Sequence, residues 1–311
     1  MPKKRDLLSI TDLSTQELLG ILSAAKKMKA ELKKTGRNSP VLLRKTLIMI
    51  FEKPSLRTHA SFEIAMTQLG GHALYFGPEH IGLGKREPVE HAAKVLSSMG
   101  DMIMARVFAH KTVSDLAEYS KVPVINGLSD LEHPCQILAD LLTILEQKRS
   151  FKRLKIAFVG DGENNITHSL ALACAMLGIH FVAASPKGYA MRSDVVDRAM
   201  MLAAKSRGSI SQTRNPKDAV RDADVIYTDT WVSMGDETSK SLRLKAFRPY
   251  QVNASLMKLA KPAAIFMHDM PAYLGNEVTK DVFNGARSVV YQQAENRLHA
   301  QKALLVFLAH R

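Results

Sequence analysis

The sequence predicts an α/β protein made of two doubly wound parallel-sheet domains joined by interdomain helices. Short apolar runs of strand length alternate with segments of helical period, as in sheets covered on both faces. The 311 residues suffice for two domains of ordinary size, and 46% hydrophobic residues can fill two cores. A polar, basic stretch over 148–153 separates an earlier series of runs from a later one.

Ser14-Thr-Gln-Glu17 has the form of a capping box and opens a helix running to about Lys34, ahead of Gly36. Strands are expected near 45–51, 72–76, 101–105 and 122–125 in the first domain. In the second they are expected near 154–159, 179–183, 209–213, 224–228 and 263–267. Helices fill the intervals, near 57–69, 88–99, 112–120, 135–147, 164–177, 193–207, 216–222 and 253–260. A last helix near 292–309 carries Leu298, Ala300, Leu304, Leu305 and Leu308 and is expected to pack back on the first domain. The first domain thus spans 1–134, completed by 292–311, a linking helix covers 135–149, and the second domain spans 150–291.

Composition narrows the function classes. No apolar run reaches the ~18 residues of a membrane span. The basic start, Met1-Pro-Lys-Lys-Arg-Asp6, is followed by no signal-peptide apolar region. Cys135 and Cys174 make no disulfide framework, so a cytoplasmic location is expected. The net charge of +13 suits nucleic-acid binding, a solvated basic surface, or steering of an anionic substrate. The basic residues are spread out, aromatics are 6%, and no stacking motif interleaves with the charge. Nucleic acid is therefore not the expected partner; charge alone does not separate the other two.

Ligands bind such sheets beyond the carboxyl ends of the strands. The polar residues just past the strands are Ser55, Arg57 and Thr58, Arg106, His133, Asp161 to Asn165, Asp229 to Ser233, and His268 with Asp269. Ser55, Leu56, Arg57 and Thr58 stand where a strand turns into a helix N-terminus. Free N–H groups, the positive end of the helix dipole, two hydroxyls and a guanidinium would suit a phosphate-like anion there. The competing reading is a plain cap with a solvent-facing arginine.

His133-Pro-Cys-Gln136 opens a helix, with Pro134 suited to the first turn. His133 can donate to a carbonyl oxygen and Gln136 can bond an amide, although alone the tetrapeptide reads better as a capping turn. Cys135 has no base beside it in sequence and reads as packing. Gly160-Asp-Gly-Glu-Asn-Asn165 imitates a dinucleotide fingerprint. Asn165 takes the third glycine position and no acid ends the next strand, which argues against a nicotinamide cofactor. Asparagines at that helix start could hold a carboxylate. In Asp229-Thr-Trp-Val-Ser-Met-Gly235, Asp229 can pair with an ammonium and Ser233 can add a contact; Trp231 reads as an anchor. His268-Asp-Met-Pro271 suggests acid–base work or a metal ligand, but no third ligand at metal spacing is near, so no metal is expected.

Together these segments resemble the aspartate/ornithine carbamoyltransferase family over essentially the whole chain. The resemblance rests on the order Phe51-Glu-Lys-Pro-Ser-Leu-Arg-Thr58, His133-Pro-Cys-Gln136, Asp229 to Gly235, and Glu295-Asn-Arg-Leu-His-Ala-Gln301. Asp229, Ser233, Met234 and Gly235 match the ornithine branch. The resemblance implies carbamoyl phosphate and L-ornithine as substrates, citrulline and phosphate as products, a place in arginine metabolism, no cofactor, and a homotrimer or multiple of trimers. It implies that Ser55, Leu56 through its N–H, Arg57 and Thr58 hold the phosphate. Thr58, Arg106 and His133 would polarise the carbonyl; Gln136, Arg297 and the carbonyl of Met270 would complete the carbamoyl pocket. Asn165, Asp229, Ser233 and Met234 would hold the α-carboxylate and α-amine of ornithine.

The chain departs from the family at four places. Leu56 stands for a threonine, His59 for an arginine, and Gly82 for a polar residue that many relatives use to reach a neighbouring subunit's phosphate, a loss for which Lys85 or Arg86 could compensate. Asp269 stands for the cysteine near the attacking amine. A lysine-like amine has a pKa of roughly 10.4 and must lose a proton to attack. A carboxylate beside it would hold the proton on by about 1–3 pKa units, or accept it as general base. These changes leave two alternatives open: another amine acceptor, or a weakly active carbamoyl-phosphate-binding paralogue.

Overall fold

The computed structural model describes residues 4–84, 86–232 and 240–309. It divides into two compact units: the described residues up to Leu142 with those from Glu295 on, and Thr143–Ala294.

In the first unit, a single 3-10 turn at Ile10–Asp12 precedes α1 (Thr15–Thr35). The capping box at its start is formed: Ser14 Oγ accepts the Glu17 N–H and Glu17 accepts the Ser14 N–H. Leu18, Ile21, Leu22 and Ala25 form its buried stripe, and Gly36 ends it at φ 73°. Then follow β1 (Thr46–Phe51), α2 (Leu56–Gln68), β2 (His72–Phe76), α3 (Val89–Met99), β3 (Met102–Arg106), α4 (His110–Tyr119), β4 (Val124–Leu128) and the start of α5 (Pro134–Lys148). The strands form one parallel sheet in the order β2-β1-β3-β4. Residues Leu47 to Phe51 of β1 and all of β3 are buried, as strands covered on both faces must be. Leu7 pairs alongside Ile125 and covers the open edge of β4.

The second unit contains β5 (Lys155–Val159), α6 (Asn165–Leu177), β6 (His180–Ala184), α7 (Ser193–Ser206), β7 (Ser209–Thr213), α8 (Pro216–Val220), β8 (Val225–Tyr227), α9 (Lys240–Phe247), α10 (Ala254–Met257), β9 (Ile265–Met267) and α11 (Lys280–Phe283). Its parallel sheet runs β7-β6-β5-β8-β9. Phe158, Phe181, Tyr227 and Phe266 fill its interior, and the Tyr227 hydroxyl accepts from Gln293 Nε2 at 2.9 Å. The chain ends in α12 (Val290–Ala309), whose Ala300, Leu304, Leu305 and Leu308 are buried.

Every strand anticipated from the sequence is present. Among the described residues, two α-helices were not anticipated. In α9 only Arg243 and Phe247 are buried, so its polar sequence lacks an apolar stripe. The four residues of α11 are too few to show a period. The helix expected near 253–260 is a single turn, and α8 stops at Val220, after which Arg221 leaves the helical region (ψ 123°). Among the described residues no helix is long and apolar enough to cross a membrane.

Truncating a side chain at the centre of the second sheet tests its packing. Phe266→Ala should destabilise that unit by about 3–5 kcal/mol, read as a lowered denaturation midpoint.

Candidate active site

In the first unit, β1 and β3 are sheet neighbours although β2 lies between them in sequence. Their carboxyl ends therefore mark the point where strand order reverses, and polar side chains gather there. Ser55 caps α2, its Oγ accepting the Thr58 N–H at 3.4 Å and donating to Thr58 Oγ1 at 3.1 Å. The buried Thr58 Oγ1 also accepts from Arg297 Nη2 at 2.7 Å and lies 3.5 Å from Arg106 Nη1. Arg106 owes its aim to a register shift. Ala105 pairs with Asn126 but Arg106 pairs with Leu128, so Gly127 is an extra residue that turns the strand end. Glu52 fixes the same corner: its N–H donates to the Arg106 carbonyl at 2.9 Å and its carboxylate accepts the Phe108 N–H at 2.7 Å.

Arg297 Nη1 donates to Gln136 Oε1 at 3.0 Å, and Gln136 Nε2 donates to Asp140 Oδ1 at 2.8 Å. The Gln136 carboxamide is thereby oriented at both ends. His133 is buried; that burial first, then the charges of Arg297, Arg106, Lys53 and Arg57, holds its pKa well below the usual imidazole value. A neutral imidazole among cations can donate one hydrogen bond to a carbonyl oxygen without adding to the repulsion. Lys53, which the sequence reading passed over inside its own motif, has its ammonium pushed down to about 8, by burial first and then by Arg106. Cys135 is buried with its thiol pushed up to about 12 by desolvation, which makes it packing and not a nucleophile.

The departures in this unit have structural readings. Leu56 is 81% exposed, so its side chain points to solvent while its backbone stays in the first turn. His59 stacks on Tyr75 (4.2 Å, 19°) and lies 2.8 Å from Glu63, along the flank of α2. At Gly82 a Cβ would lie 2.7 Å from Arg86 Cβ, because the Arg86 N–H closes a turn onto the Gly82 carbonyl at 2.7 Å. Arg86 is exposed; Lys85 lies outside the described residues.

In the second unit the strand order reverses at β5 and β8. Asn164 caps α6, accepting the Ile166 N–H at 2.7 Å, and its Nδ2 donates to Asp229 Oδ2 at 2.7 Å. Asn165, the residue expected to act as a ligand, is the first of α6 and half-buried. Asp229 also accepts the Thr230 N–H at 2.6 Å. The loop beyond it is held by Arg243, which donates to the Trp231 carbonyl at 2.6 Å and pairs with Asp161. Burial raises the Asp161 carboxyl to about 6 against the pull of Arg243. Trp231 is 3% exposed and stacks on Phe247. Ser233 and Met234 lie outside the described residues.

His268 follows β9, fully buried. Its Nδ1 accepts the Met270 N–H at 2.9 Å, which leaves the proton on Nε2, 3.3 Å from Glu277 Oε1. Met270 takes a left-handed backbone, φ 59°. Asp269 Oδ1 lies 3.5 Å from His268 Nδ1. Ligand atoms of Asp229, His268 and Asp269 all lie within 4.8 Å of one another. This trio is close enough for a cation, but both His268 nitrogens already have partners, which favours an organic ammonium over a metal ion. Asn164 lies within the polar run singled out from the sequence, but its pairing with Asp229, 65 residues on, was not legible there; Arg243 and Glu277 were not singled out at all.

Residues 5–146 match the family model described as aspartate/ornithine carbamoyltransferase, carbamoyl-P binding domain, and residues 152–308 match its Asp/Orn binding domain. The chain is 52% identical over 306 residues to the ornithine carbamoyltransferase of Pyrococcus abyssi, covering 98% of this chain and 96% of that one. It is 52% identical over 304 residues to the anabolic ornithine carbamoyltransferase of Pyrococcus furiosus, with coverage of 98% and 96%. The structure of ornithine carbamoyltransferase from Pyrococcus furiosus superposes with a TM-score of 0.94, covering 97% of this chain and 96% of that one.

His133 should stay neutral in the folded protein. Its imidazole resonance, assigned through His133→Gln, is expected not to titrate between about pH 6 and 8, where an ordinary histidine does. A midpoint near 6.5 would contradict this.

Proposed function

Because the chain belongs to the aspartate/ornithine carbamoyltransferase family, we infer that it is an ornithine carbamoyltransferase, making L-citrulline and phosphate from carbamoyl phosphate and L-ornithine. The observation that carries the donor half is the meeting of Thr58, Arg106 and Arg297 at the N-terminus of α2. A phosphate suits this charge and these donors. In this reading Ser55, the Leu56 N–H, Arg57 and Thr58 hold the phosphate. Arg106, Thr58 and neutral His133 draw electron density onto the carbonyl oxygen and stabilise the oxyanion. Gln136, oriented by Arg297 and Asp140, bonds the carbamoyl amide.

The acceptor half rests on two carboxylates within 4.8 Å of one another, a match for a diamine that carries two positive charges. Asp229 takes the α-amine and Asp269 faces the δ-amine. Asn165, Ser233 and Met234 complete the contacts to the amino-acid end. Asp269 accepts one proton from the δ-ammonium. The freed nitrogen pair then attacks the carbonyl carbon. Collapse of the tetrahedral intermediate breaks the carbon–oxygen bond to phosphate, and phosphate leaves with the bonding pair and the second nitrogen proton; once the products have left, Asp269 gives up its proton to solvent and the carboxylate is restored. The carboxylate–ammonium pair and the acid–amine pair carry the same number of protons. The reactive form is thus reached without a proton from or to solvent.

We place the enzyme in arginine synthesis in the cytoplasm, where two buried, unpaired cysteines persist as thiols. A homotrimer, or a multiple of trimers, is the assembly. It is supported by apolar surface on Leu74, Val95 and Met99, which are 40%, 50% and 74% exposed. Light scattering should return a mass of three chains or a multiple; a monomer at working concentration would contradict that assembly.

Asp229→Ala should raise the KM for ornithine about 30-fold or more while sparing the KM for carbamoyl phosphate. In a panel of amines, ornithine should give the highest kcat/KM. Normal ornithine saturation in the variant, or a better acceptor in the panel, would overturn the assignment.

A further inference from the structure

The C-terminal helix carries a buried charge that the reaction does not use. Lys302 is fully buried, and among the described residues its ammonium meets amide oxygens: it donates to Asn38 Oδ1 at 2.5 Å and Gln68 Oε1 at 2.9 Å. The Glu31 carboxylate reaches it through Asn38, whose Nδ2 donates to Glu31 Oε2 at 2.7 Å. Burial drives the Lys302 pKa down to about 8, with Glu31 opposing. A second buried lysine, Lys29 of α1, donates to Asn296 Oδ1 at 2.6 Å. Burying the Lys302 ammonium against amide oxygens is unfavourable to folding, which points to a return other than stability.

The contacts show what that return is. Gln68 is the last residue of α2 and Thr58 belongs to its first turn. Arg297 reaches Thr58 and Lys302 reaches Gln68. The helix that bears Arg297 is therefore tied to both ends of the helix whose N-terminus forms the proposed phosphate site. Lys29 adds a third tie one residue from Arg297. We propose that Lys302 is a positioning residue for the carbamoyl-phosphate site: it locks the register of α12 against α2 and so fixes where the Arg297 guanidinium lies. The proposal rests on the reading of Arg297 as part of that site.

Calorimetry of carbamoyl phosphate binding, without ornithine, tests it. Lys302→Met keeps the length and apolar stem of the side chain. It should weaken binding about 10-fold without lowering the melting temperature. In an Arg297→Ala background the same change should alter affinity by no more than about twofold, because residues that act through one another are non-additive. Gln68→Leu removes the other end of the contact on a half-buried residue and should reproduce the loss. Undiminished affinity in Lys302→Met and Gln68→Leu, or an equal loss in both backgrounds, overturns the inference and leaves the phosphate site standing. If Arg297→Ala itself binds normally, the phosphate-site reading falls and takes the inference with it.

Discussion

The first unit is organised around the burial of positive charge. Arg57, Arg106, Arg297 and Lys53 all act on one buried histidine, and two of the guanidiniums meet at a single threonine hydroxyl. Burial first, and then the neighbouring like charges, keep His133 neutral and drive Lys53 down to about 8. A phosphate entering such a place relieves the repulsion. The fold supplies the geometry at low cost: a helix N-terminus beyond β1, a strand end turned by a register shift at Arg106, and a C-terminal helix held by buried lysines. A ligand bound there in the proposed way would meet a pre-set arrangement of donors, which is the condition for electrostatic stabilisation of a transition state.

The second unit shows the opposite electrostatics. Asp229 and Asp269 place two carboxylates close together, with Asn164 and His268 beside them. That field suits a cationic acceptor. It also gives a role to Asp269, where the family resemblance led to the expectation of a cysteine. A carboxylate that stabilises an ammonium is also the nearest acceptor for its proton, and moving that proton creates a neutral pair that tolerates burial better than the ionic one.

Much of this was legible in the sequence for a definite reason. Strand exits in parallel sheets are where ligands bind, so Ser55, Thr58, Arg106, Asp229 and His268 could be singled out from apolar runs followed by polar residues. Motif order named the family because several short segments recur in one order over the whole chain. What stayed hidden depends on pairing across the chain. The Gly127 register shift that aims Arg106, the Arg243 grip on Asp161, the Asn164 bond to Asp229, and the Lys302 tie to Gln68 each join residues that no local period connects. Helix α9 escaped notice because an arginine, not an apolar residue, forms part of its buried face.

The pH dependence of citrulline formation from carbamoyl phosphate and L-ornithine tests the account most directly, measured for the unmodified protein and for Asp269→Asn. Internal proton transfer to Asp269 predicts a turnover rate nearly flat from about pH 7 to 9, and a much slower variant whose rate climbs about 10-fold per pH unit as its amine deprotonates in solvent. The contrary result is a rate in the unmodified protein that climbs one-for-one with pH and is matched by Asp269→Asn; failure to form citrulline at any pH would overturn the account altogether.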